Sequence, residues 1–210
     1  MTSIKSIMPK IAGFFGLSAT IVFFLCIISS VNLSPWFSWT ENWLSELAGS
    51  FGDRPIWAAR GLSSIIWNLG IMLTGAIGII FTIALQKSKL LKSNLGNFSI
   101  FILFIDMSAL FGIGLFPVTL GDIHILISMV FFVLIPTVLL FIGYELRLLF
   151  GEKWWWLANI FCFISICSVF IFLFNGAKAV SEMVALSCLF LFLIFLSFNL
   201  LKTNQINKKG

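Results

Sequence analysis

Residues 98–144 read FSIFILFIDMSALFGIGLFPVTLGDIHILISMVFFVLIPTVLLFIGY. Two apolar stretches, Phe98–Pro117 and Ile123–Tyr144, flank a short turn from Val118 to Asp122. At ~1.5 Å per residue each stretch crosses a hydrocarbon core of about 30 Å as a helix. The turn is tight, so the two form an antiparallel pair. Four more stretches of the same kind surround them: Ile11–Leu33, Leu62–Leu85, Trp155–Phe174 and Met183–Leu201. The predicted fold class is an all-α membrane protein, a bundle of six transmembrane helices, with residues 1–210 forming one transmembrane domain.

Composition agrees. Hydrophobic residues make up 60% of the chain and charged residues 10%, against about 25% charged in soluble domains. With the N-terminus in the cytoplasm, ten basic residues fall inside: Lys5, Lys10, Lys87, Lys89, Lys92, Arg147, Lys153, Lys202, Lys208 and Lys209. Only Arg54, Arg60 and Lys178 fall outside. Basic residues in short loops resist translocation, so the expected protein is multi-pass in the cell membrane with both termini cytoplasmic. The net charge of +5 follows from these flanks and calls for no nucleic-acid partner. The expected partner is the lipid bilayer, with other membrane subunits or a homo-oligomer left open. Cys26, Cys162, Cys167 and Cys188 all lie in spans and read as packing residues. A lone histidine and no paired cysteines leave no metal site and imply no cofactor.

The longest loop, Ser34 to Arg60, begins Pro35-Trp36-Phe37-Ser38-Trp39. Thr40 to Leu47 predicts a short interfacial helix on the outer surface, capped by Thr40, with Trp43, Leu44 and Leu47 on one face and Gly49 ending it. Trp36, Trp39, Trp43, Trp57 and Trp67 cluster at the outer ends of helices one and two, and Trp154 to Trp156 mark the inner end of helix five, as an aromatic belt does. Gly70, Thr74 and Gly78 form a small-residue stripe on helix two for close helix approach, with Asn68 on another face. Ser108 and Gly112 offer a similar notch on helix three. Pro136 should kink helix four by freeing the Phe132 carbonyl.

Asp106 is the one acidic residue within a span, at a cost of about 3 kcal/mol on insertion scales, so it should face the bundle interior with a partner. Three roles compete: a protonated group bonded to Asn68 or a serine, the lining of a polar cavity, or proton transfer and catalysis. His124 opens helix four on the outer side, after Asp122 and one turn before Ser128. The same outer layer holds Ser45, Glu46, Asp53, Arg54 and Arg60, and Arg60 suits a phosphate or carboxylate anchor. Lys178 and Glu182 read as a pair on one helical face, with Ser181 as a cap.

Three stretches carry a resemblance: Asn42-Trp43-Leu44-Ser45-Glu46-Leu47-Ala48-Gly49, Trp67-Asn68-Leu69-Gly70 with Thr74-Gly75, and Gly112-Ile113-Gly114-Leu115-Phe116-Pro117 followed by His124. In this order they resemble the prokaryotic, largely archaeal six-helix membrane proteins classed as domain of unknown function 998, over roughly residues 10 to 200. The resemblance implies the fold and an outward-facing polar site, and brings no activity with it.

The first reading of function is an accessory or binding protein. Its outward pocket, built from Ser45, Glu46, Arg60, Asn68, Asp106 and His124, would hold a lipid headgroup, a small ligand or a partner helix. The second is a membrane-embedded lipid hydrolase or transferase with Ser45 as nucleophile, His124 as base and Asp106 or Asp122 orienting it. The third is a small proton- or cation-coupled transporter using Asp106.

Overall fold

In the computed structural model of the protein, residues 2–49, 61–175 and 178–202 are described. They contain six long helices: α1 (Thr2–Asn32), α2 (Leu62–Ser88), α3 (Asn94–Leu115), α4 (Asp122–Phe150), α5 (Lys153–Asn175) and α6 (Lys178–Lys202). All six are long and apolar enough to span a membrane, and no strand is present among the described residues. The helices overrun the apolar stretches because their backbone hydrogen bonds persist through the polar flanks. Arrested ends have local causes. Ser93 caps α3 by accepting the Gly96 N–H at 2.8 Å, and Gly121 (φ 63°) and Gly151 (φ 97°) take left-handed conformations at either end of α4.

Consecutive helices pack side by side, and α1 also packs on α6, so the six close into a ring. α4 reaches across to touch α6. The shared core is aromatic and aliphatic, with Phe23 of α1 stacked on Phe190 of α6 at 4.0 Å between ring centroids. Facing outward are large apolar side chains such as Phe163 (69% exposed) and Val133 (67%). Such a surface is tolerable only against lipid chains. The protein is a multi-pass membrane protein.

Small residues set the seams. Gly70 faces Cys26 of α1, whereas Gly78 faces Met107 and Gly75 faces Phe111 of α3. The expected single stripe on α2 is therefore two notches: eight residues at about 100° each turn Gly78 well away from Gly70, and α2 is wedged between both neighbours. Gly112 meets Ile127 of α4, and Gly143 of α4 meets Ala158 of α5. α4 runs on as one helix through Pro136. The four cysteines are free, three of them buried.

One end of the ring is covered by residues 33–49, which follow α1 and which we call the roof. Its regular element is a five-residue 3-10 helix, Leu44–Ala48, shorter and later than the expected Thr40–Leu47 helix. Thr40 caps nothing. Instead, the Asn42 side chain accepts the Ser38 N–H at 2.9 Å and holds residues 38–42 in a turn, and Trp43 is extended (ψ 151°) just before the helix. Gly49 (φ 143°) ends it, as the sequence predicts. Leu44, Leu47 and Ala48 are buried, so the roof packs onto α2 and α6. The aromatic belt is also only partial: Trp36 and Trp39 are exposed, but Trp67 and Trp154 are buried in the core, Trp154 edge-on to Phe192 at 5.9 Å.

Candidate polar site under the roof

The roof and α6 hold each other. The Ala179 N–H donates to the Asn42 carbonyl (2.9 Å) and the Val180 N–H to the Trp39 carbonyl (3.2 Å), so the loop caps the start of α6. In return the Glu182 carboxylate accepts the Leu44 N–H at 2.6 Å at the start of the 3-10 helix. Each element supplies groups that the other's first turn leaves unsatisfied. Glu46 completes the junction, accepting the Asn42 side-chain amide at 2.8 Å and the Trp43 N–H at 3.4 Å. Lys178 does not pair with Glu182; its ammonium lies 5.9 Å from the centre of the Trp43 ring.

Beneath this junction is a cavity of about 30 Å³, room for one water-sized group. Ser45 from the roof, His124 and Ser128 from α4 and Glu182 from α6 contribute its polar lining, and Trp67, Leu44 and Phe131 are among its apolar walls. His124 is 4% exposed, and its Nδ1 lies 2.7 Å from the Phe116 carbonyl oxygen. A carbonyl can only accept, so Nδ1 carries the proton and Nε2 is left as an acceptor. Phe116 follows the last turn of α3; this bond therefore spans the α3–α4 turn and fixes the imidazole.

The structure thus brings Ser45 and His124 to one cavity, which Glu46, Asn68 and Asp106 do not line. Glu46 is turned to Asn42 and Trp43. Asn68 is fully buried with its backbone carbonyl beside Gly114 of α3, and it does not line the cavity. Asp106 faces the interior as expected, fully buried, but neither carboxylate oxygen has a hydrogen-bond partner among the described residues. α2 and α3 run antiparallel, with Asn68 level with Gly114 and Gly78 level with Met107. Asp106 is thus about 12 Å deeper than Asn68 along the bundle, and the expected Asp106–Asn68 pair does not form. Arg60, Asp53, Arg54 and Trp57 lie outside the described residues. Glu182 is the cavity residue whose role the sequence left unseen, although it starts α6 in the same layer as His124. No cluster of three or more metal-ligating side chains occurs among the described residues.

A ring of six lipid-facing helices with a small cavity beneath a loop roof, mostly apolar but carrying a few polar groups, defines a class of compact multi-pass membrane protein. The family model described as a protein of unknown function (DUF998) matches residues 17–199, and the chain belongs to that family. Neither the curated proteins nor the solved structures contain a match.

Proposed function

We propose that the protein binds a small polar group bearing hydrogen-bond donors, the ammonium or hydroxyl of a lipid headgroup, in the cavity beneath the roof. One observation carries the reading: Ser45, His124, Ser128 and Glu182, from three separate elements, converge on one cavity in an otherwise apolar bundle. Its chemistry is rich in acceptors. The imidazole Nε2 and the Glu182 carboxylate accept, and the two hydroxyls can do so, so a complementary ligand donates. The roof would admit a headgroup by parting from α6.

His124 is the only histidine in the chain, so histidine labelled with nitrogen-15 reports on this site alone. In nanodiscs, exchanging phosphatidylcholine for phosphatidylethanolamine or phosphatidylglycerol should shift the Nε2 resonance, and Glu182→Gln should weaken the response. An Nε2 signal indifferent to every donor-bearing headgroup sinks the reading.

A hydrolase is the second reading, favoured by the sharing of the cavity between Ser45 and a histidine whose Nε2 is free to act as a base. In this reading the Phe116 carbonyl takes the orienting role that the sequence assigned to Asp106 or Asp122. Labelling by a fluorophosphonate that disappears in both Ser45→Ala and His124→Ala supports it; absence of labelling in the native protein removes it.

A further inference from the structure

Trp67, one wall of the cavity beneath the roof, carries a buried indole N–H with no hydrogen-bond partner among the described residues. In another wall, the Nε2 lone pair of His124 is left over once Nδ1 has donated to the Phe116 carbonyl. The two residues share one layer of the bundle: Asn68, next to Trp67, has its carbonyl beside Gly114, two residues before Phe116. An unmatched donor and an unmatched acceptor thus border one small space. The hydroxyls of Ser45 and Ser128 border it too. Elsewhere in the helices Thr20, Thr74, Ser99 and Ser108 bond back to the carbonyl one turn earlier. No such bond ties Ser128, so its hydroxyl is free to donate or accept at the cavity.

These requirements select among the groups that a space of about 30 Å³ admits. An ammonium donates but has no lone pair with which to accept the indole N–H. A carbonyl or phosphate oxygen accepts but brings no proton for Nε2. Charge weighs the same way. Phe23, Ile71, Leu110 and Phe132 complete the wall, and such surroundings penalise an ion far more than a neutral polar group. The carboxylate there, Glu182, is already engaged by the Leu44 N–H. Resting on the binding role proposed above, we infer that the group this cavity takes is a neutral hydroxyl, accepting from Trp67 and donating to Nε2 of His124. It comes either from a lipid headgroup that ends in an alcohol or from a water molecule.

The full chain in phosphatidylcholine nanodiscs, labelled with nitrogen-15 in tryptophan and histidine, tests this. Trp67→Phe identifies the indole signal among the eight tryptophans, or exchange of the others does so by elimination. Adding phosphatidylglycerol or diacylglycerol should shift the Trp67 indole and His124 Nε2 together, and phosphatidylethanolamine should leave the indole unmoved. Trp67→Phe should also weaken the Nε2 response to phosphatidylglycerol about tenfold in apparent affinity. Where water is the source, no lipid moves either signal, but in phosphatidylcholine alone water magnetisation reaches the Trp67 indole proton and the His124 ring; the hydroxyl then stands and the headgroup reading falls. If the alcohols shift Nε2 but leave the indole unmoved, or if only phosphatidylethanolamine shifts Nε2, the hydroxyl is overturned while headgroup binding stands. With no response to any lipid and no transfer from water, both fall.

Discussion

His124 and Asp106 show how differently two polar residues are carried in one apolar bundle. His124 is buried yet has its Nδ1 proton on the Phe116 carbonyl and its other nitrogen available at a cavity. Asp106 is buried with both oxygens unsatisfied among the described residues and does not line the cavity. A buried polar group without partners costs about 1–3 kcal/mol, and replacing it by an apolar group of similar size recovers much of that. Asp106→Leu should therefore raise the thermal unfolding midpoint in detergent. A clear fall would show that a water or ligand holds the carboxyl, and would return Asp106 to the list of functional residues.

Among the elements, α3 and α4 are tied at both ends. At the roofed end the tie is the His124–Phe116 bond; at the opposite end it is Glu145 of α4, only 4% exposed, which accepts the Ser93 hydroxyl at 2.6 Å. Ser93 in turn caps α3 through Gly96, so a carboxylate sits at the positive end of a helix dipole. Ser93→Ala removes the cap and the partner of Glu145 together, and should cost about 1–3 kcal/mol. Ser93→Thr keeps the hydroxyl and should cost far less. Chemical denaturation in mixed micelles measures both; equal losses would mean that the hydroxyl is not what matters.

At the scale of the whole molecule, the ring depends on its closing seam. Gly13 and Gly16 of α1 leave room for Ser197 of α6: a Cβ on Gly16 would run into the Ser197 hydroxyl, and one on Gly13 would lie 2.7 Å from its carbonyl oxygen. Gly16→Val should therefore push α1 off α6 and destabilise the bundle by about 1–3 kcal/mol, the usual cost of overpacking. Ser197→Gly in the same chain should recover part of it, a coupling that a double-mutant cycle reads from unfolding midpoints. Additive effects would mean that the seam is looser than its geometry.

The sequence by itself determined the six helices, the antiparallel α3–α4 pair, the free cysteines and the family, because the bilayer demands long apolar runs and each run is a local property of the chain. It also named Ser45 and His124, which the fold places on one cavity. Tertiary structure alone decided their company. Glu182 joins them because α6 returns beside α1 and presents its first turn to the roof, and Asp106 is left out because antiparallel packing sets it about 12 Å below Asn68. The late start of the roof helix was hidden for a similar reason: Thr40 is a competent cap locally, but the Asn42 turn and the Glu182 carboxylate, 138 residues from Leu44, place the helix start at Leu44. Partners so distant in sequence leave no periodic trace, and only the folded chain brings their hydrogen bonds together.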